Sequence, residues 1–144
     1  MNILIKKDQT RLQRFNLIFQ FTSYFSSNRE TSMISKNVRL NPLQLKTLTL
    51  IQEVARHPIF SEPEDSSGAI AIRMLPDPHG NHFHIGSRVV MSKDASGLRN
   101  EAVLGVLERK GMIELRSGGI LVLTAAGRAV ETGLRDKILH GSDH

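Results

Sequence analysis

From residue 41 onward, apolar positions recur with two different periods, and these periods divide the chain into helices and strands. Leu43, Leu45, Leu48, Leu50, Ile51, Val54 and Ala55 recur close to every 3.6 residues, which predicts a helix with one face in the core. Asn41 is suited to cap it, Pro42 fits its first position without wasting an amide, and His57-Pro58 stops it. Residues 59–68 are acidic and rich in turn formers, so they read as an exposed loop. Residues 69–75 and 82–91 alternate as strands around the turn signal Pro76-Asp77-Pro78-His79-Gly80-Asn81, which predicts a hairpin. With regular pairing, Phe83, Ile85, Val89 and Met91 share one face of the second strand. His82, His84 and Arg88 take the other, and Gly86 marks a bulge.

The period returns to 3.6 over residues 98–110, where Val103, Leu104, Val106 and Leu107 form a buried side. Asp94 or Ser96 caps the start, and Gly111 stands just past the end. At 100° per residue, Leu98, Glu101, Ala102, Gly105, Glu108 and Arg109 face away from that side. Residues 112–115 and 120–123 are short strands around Arg116-Ser117-Gly118-Gly119. Thr124 then caps a last helix running to about Leu139, weakened at Gly127 and Gly133.

The first 32 residues differ in kind. Phe15, Phe19, Phe21, Tyr24 and Phe25 crowd together, and no acid stands between Asp8 and Glu30. Residues 1–36 read as an N-terminal arm, disordered or helical, or as a non-native leader with Met33 as the true start. Residues 37–144 form the domain. A chain of 144 residues has room for one core, and no apolar run reaches the roughly 18 residues of a membrane span, so a soluble, cytoplasmic protein is expected. The absence of cysteine excludes disulfides and thiolate chemistry. A net charge of +5 suggests an anionic partner until it is located. The first 36 residues hold six bases and two acids, a net of +4, which leaves thirteen against twelve and a net of +1 for the remainder.

The order helix, glycine, hairpin, Leu-Thr cap and helix carries a resemblance. Leu107-Glu-Arg-Lys-Gly-Met-Ile-Glu-Leu followed by Leu121-Val-Leu-Thr-Ala-Ala-Gly-Arg-Ala resembles the recognition helix, wing and following helix of MarR-type winged-helix regulators, over about a quarter of the chain. The resemblance implies a winged-helix-like domain of α+β class, to which the residues add a further β-hairpin. It also implies a DNA-binding transcriptional regulator, working as a homodimer on double-stranded DNA. The helix after Leu98 is then presented to a major groove, with Lys93, Arg99, Asn100, Arg109, Lys110 and Arg116 as the contacts. This chain departs from the family where a short strand and a second helix precede the recognition helix, because the histidine hairpin stands there. Glu101 and Glu108 on the outward face would repel phosphates. The alternative is a protein-interaction module built on Ala102, Gly105 and the histidine hairpin.

His79, His82 and His84 are three of the six histidines within six residues, and His82 and His84 project from one side of a strand, as paired imidazole ligands must. Zinc is the candidate cofactor, with Asp77, His57, His140, Asp143 or His144 available to complete a tetrahedron. A solvated polar strand face is the other reading. Catalytic motifs are missing from the sequence: it has no G-x-S-x-G, phosphate loop or dinucleotide fingerprint. Ser117-Gly118-Gly119 reads as a hairpin tip, Glu62, Glu64 and Asp65 as a solvated loop, and Arg135-Asp136-Lys137 as a solvated helix face.

Overall fold

The computed structural model describes residues 38–142, so the expectations for the N-terminal arm, Met33, Asp143 and His144 lie outside the described residues. The fold is α+β. Helix α1 spans Pro42–Val54. It begins in a reciprocal cap, in which the Gln44 amide donates to Asn41 Oδ1 at 2.8 Å and the Asn41 amide donates to Gln44 Oε1 at 3.0 Å. Thr47, Leu48, Thr49, Leu50, Ile51, Glu53 and Val54 are all buried, too wide an arc for a surface helix. The two buried threonines satisfy their hydroxyls on the Leu43 and Leu45 carbonyls one turn back.

Two antiparallel four-stranded sheets follow. Strands β1 (Ser61–Pro63), β2 (Ile70–Ile72), β6 (Ile113–Arg116) and β7 (Ile120–Leu123) form the first, in the order β1-β2-β7-β6. The second is β3 (Pro78–His79), β4 (His82–Ile85), β5 (Arg88–Met91) and β8 (His140–Gly141), in that order. Helix α2 (Glu101–Arg109) packs on α1, and the short helices α3 (Ala125–Ala129) and α4 (Arg135–Ile138) also reach α1. One buried cluster joins them: Leu48, Ile51 and Val54 of α1, Ile72 of β2, Ile85 and Val90 of the second sheet, Leu107 of α2, and Leu123 and Leu139.

Several expectations are corrected. Residues 59–68 are not all loop, because Ser61–Pro63 is an edge strand whose exposed polar residues carry no alternation. The strand beginning near residue 69 does not pair with residues 82–91. It lies between β1 and β7, with Ile70 opposite Leu123. Residues 82–91 are two strands: Ile85 opposes Arg88 across a two-residue turn, and Gly86, with φ +59°, is the turn's first residue and no bulge. That turn carries Val89 and Met91 to the face of His82 and His84, their cross-strand partners being Met91 for His82 and Val89 for His84. The Pro76–Asn81 signal is itself a small hairpin, closing at Gly80-Asn81 with His79 opposite His82.

The second long helix starts at Glu101, capped by Asn100. Neither Asp94 nor Ser96 caps it, since residues 92–99 form successive turns that bury Leu98 to 1 % exposure. Leu98 therefore does not face outward. Among the described residues no helix lies between Val54 and Glu101. The last helix breaks in two: Val130 is extended and Gly133 takes φ +66°, so α3 ends after five residues and α4 restarts at Arg135.

Candidate functional site

The surface carried by α2 and the β6–β7 hairpin is built from capping chemistry. Asn100 Oδ1 accepts the amides of Ala102 and Val103 at 3.0 and 3.3 Å, which fixes the first turn of α2. At the other end Gly111 takes φ +73°, and the chain turns directly into β6. Glu108 Oε1 accepts the Leu115 amide at 2.8 Å, tying the last turn of α2 to β6. Thr124 Oγ1 accepts the Gly127 amide at 3.0 Å and donates to the Gly111 and Met112 carbonyls, so one side chain joins the helix exit, the wing and the start of α3.

The predicted DNA contacts have varied surroundings. Asn100 is consumed as a cap. Arg99 donates through Nη2 to Asp77 Oδ1 at 3.0 Å and to the Pro76 carbonyl at 3.1 Å, so it ties the entrance of α2 to the histidine hairpin. Lys110 Nζ donates to the Arg39 carbonyl, and no carboxylate pairs with it among the described residues. Arg116 lies between two carboxylates: Nη1 donates to Glu64, and Nη2 donates to Glu64 Oε2 at 3.2 Å and to Glu114 Oε2 at 2.8 Å. The Glu64 and Glu114 hydrogen bonds push its pKa still higher, and their charges cancel it locally. Lys93 and Arg109 are exposed, and neither forms an ion pair among the described residues. On the outward face of α2, Glu101, Ala102, Glu108 and Arg109 are exposed and Gly105 is half-buried.

Of the three predicted metal ligands, His82 and His84 are in contact and His79 lies beside His84. His82 Nε2 and His84 Nε2 stand 3.1 Å apart, with their rings edge-to-face at a centroid distance of 4.9 Å. The His79 ring lies 5.8 Å from that of His84, also edge-on. Asn81 Oδ1 is 3.2 Å from His82 Nδ1. Among the described residues no three His, Asp or Glu side chains already surround one point as a metal's ligands. Asp77 is taken by Arg99, while His57 sits elsewhere, beside Glu53.

Sequence reasoning missed the most buried charge. Glu53, 3 % exposed on α1, receives Arg135 Nε at 2.8 Å and Nη2 at 3.1 Å, with Arg56 and His57 nitrogens each 3.7 Å away. Burial raises the Glu53 pKa, but the Arg135 hydrogen bonds and the surrounding positive charges outweigh it, and the net shift is downward. Arg135 is therefore an anchor and no solvated helix residue. It helps line a cleft of about 750 Å³ with Arg56, Arg128 and Glu131, where Arg128 Nη1 donates to the Gly68 carbonyl at 2.6 Å. A glutamate at a regular α1 position, 82 residues from its arginine, gave no local signal.

Among the described residues, no helix is long and apolar enough to cross a membrane. No family model, curated protein or solved structure significantly matches the chain.

Proposed function

We propose that residues 38–142 form a winged-helix-like domain that binds protein through α2 and the wing, with a second copy of this chain as the partner. The sheet supports the winged-helix reading: β2, which follows α1 and the edge strand β1, pairs with β7, which pairs with β6. Three strands of this four-stranded sheet would then serve as the winged-helix sheet, with α2 as the counterpart of its recognition helix. The histidine hairpin and the turns of residues 92–99 stand where the second helix would be.

The observation that carries the partner class is the clamp on Arg116. A wing tip reaches phosphate through an uncompensated cation, and this one lies between Glu64 and Glu114. The outward face of α2 adds Glu101 and Glu108, which repel a phosphate backbone but suit a second copy. Two α2 helices crossing antiparallel at Gly105 set Glu101 of each against Arg109 of the other, and Ala102 and Gly105 allow close approach. Sedimentation equilibrium of the full chain tests this. A dimer is expected, and Ala102→Glu, which sets a carboxylate opposite Glu108, is expected to yield a folded monomer. A monomeric parent protein at its highest workable concentration overturns the reading.

A second reading, duplex DNA, is favoured by Lys93, Arg109 and Lys110, whose charges are not balanced by carboxylates among the described residues. Three phosphate contacts give a slope of log K against log salt of roughly −3. Titration of random duplex at several salt concentrations distinguishes the two, since self-association without duplex binding at low salt leaves only the first.

A further inference from the structure

We propose that the β3–β4 hairpin is a binding site for a divalent transition cation of the zinc class, anchored by His82 and His84 and completed by His79. The backbone prepares it. His82 and His84 are two apart on β4, so both stand on the face away from Phe83 and Ile85, which join the core. His79 lies directly opposite His82 in the β3–β4 register and therefore shares that face. This places three imidazoles on a rigid, hydrogen-bonded scaffold.

The distances favour a cation. Two donors bound to one tetrahedral zinc at about 2.0–2.1 Å stand roughly 3.3 Å apart. His82 Nε2 and His84 Nε2 share a hydrogen bond at 3.1 Å, and an ion bound to both replaces it with small ring rotations, the shared proton passing to water. Asn81 Oδ1, 3.2 Å from His82 Nδ1, is placed to accept that nitrogen's proton and leave the Nε2 lone pair for the metal. The third imidazole needs to move. His79 is exposed at the hairpin tip, its ring 5.8 Å from that of His84, and rotation about its side-chain bonds brings it toward the pair. Water fills the fourth position of such a site. Neutral nitrogen donors without thiolate suit zinc, nickel or copper over calcium or magnesium.

The test uses the full chain, stripped with chelator and titrated with zinc chloride against a chromophoric competitor. One equivalent with a micromolar dissociation constant is expected. His82→Ala and His84→Ala should each weaken it at least tenfold, and Asn81→Ala by about tenfold. Imidazole nitrogen NMR provides a readout independent of folding differences among variants: zinc should shift the Nε2 resonances of His79, His82 and His84 and leave His57 unmoved. His79→Ala, at an exposed turn, serves where a β4 variant fails to fold, and it too should weaken binding. No bound zinc in the parent protein, or zinc that shifts none of the three resonances, overturns the proposal.

Discussion

The His57 imidazole rests against the backbone of Gly86, so closely that a β-carbon on Gly86 would stand 2.2 Å from its Cε1. The contact joins the exit of α1 to the β4–β5 turn, and Gly86 is also the residue that must hold φ +59° for that turn to close. Gly86→Ala therefore meets two costs. The left-handed backbone accounts for about 1–2 kcal/mol, and displacement of the ring adds to it. A double-mutant cycle separates them, because in a His57→Ala background only the backbone cost remains. Urea denaturation midpoints measure this, and an equal loss in both backgrounds would contradict the steric part.

Gly127 and Gly105 are both helical, yet the same substitution should act with opposite sign at the two. On propensity alone, alanine is favoured over glycine by about 1 kcal/mol. At Gly105 a new β-carbon meets only the Arg109 guanidinium at 3.6 Å, so Gly105→Ala should stabilise the monomer. At Gly127 it would stand 2.1 Å from the Met112 carbonyl oxygen, which already accepts the Thr124 amide and hydroxyl. Backbone cannot swing aside as a side chain can. Gly127→Ala should destabilise by about 2 kcal/mol or more. Thermal unfolding of the two variants decides it, and a stabilised Gly127→Ala would mean that α3 shifts freely.

What was legible from residues alone follows the range of the interaction involved. Asn41, Pro42 and a 3.6 period sufficed for α1 because cap and period act within a few residues. Gly111 and Thr124 likewise marked the two edges of the β6–β7 hairpin. The start of α2 was missed: Asp94 and Ser96 suit a cap, but the burial of Leu98, a tertiary event, delays the helix until Asn100 caps it. Strand β1 has no apolar alternation and exists through its register with β2, while β2 pairs with β7 about fifty residues away. Among the candidate site residues, the shared face of His82 and His84 followed from their spacing on one strand. The engagement of Arg99 with Asp77 and of Arg116 with Glu64 did not, since those partners are 22 and 52 residues distant.

Glu53 sets a pH dependence of stability with a definite sign. Its carboxyl is held below the ordinary 4.5 in the folded chain, against the opposing effect of burial, chiefly by Arg135. A depressed folded pKa means that its contribution is present in full above about pH 4.5 and is lost as the pH falls through the lowered value. Glu53→Gln should accordingly show a shallower loss of stability between neutral and acidic pH than the parent. Removing the partner should be worse than removing the pair. Arg135→Ala leaves a carboxylate buried with only Arg56 and His57 at 3.7 Å, for a loss of about 2 kcal/mol after allowance for the partly exposed arginine. Denaturation curves at several pH values check both, and parallel pH profiles for Glu53→Gln and the parent would remove Glu53 as the source.

The clamp on Arg116 predicts a gain of function. If Glu64, just after β1, and Glu114 on β6 neutralise Arg116, then Glu64→Gln with Glu114→Gln removes two negative charges from around an arginine already at the end of β6. Such exposed pairs contribute little to folding, so the double variant should unfold at nearly the parent's temperature. Its affinity for random duplex at low salt should rise, and the slope of log K against log salt should steepen by about one for the added phosphate contact. Arg116→Ala in the same background should return the slope to the parent's, whereas Arg116→Ala alone should leave duplex binding where it was. A double variant that binds duplex no better than the parent would show that the wing is kept from phosphate by its position and not by its charge.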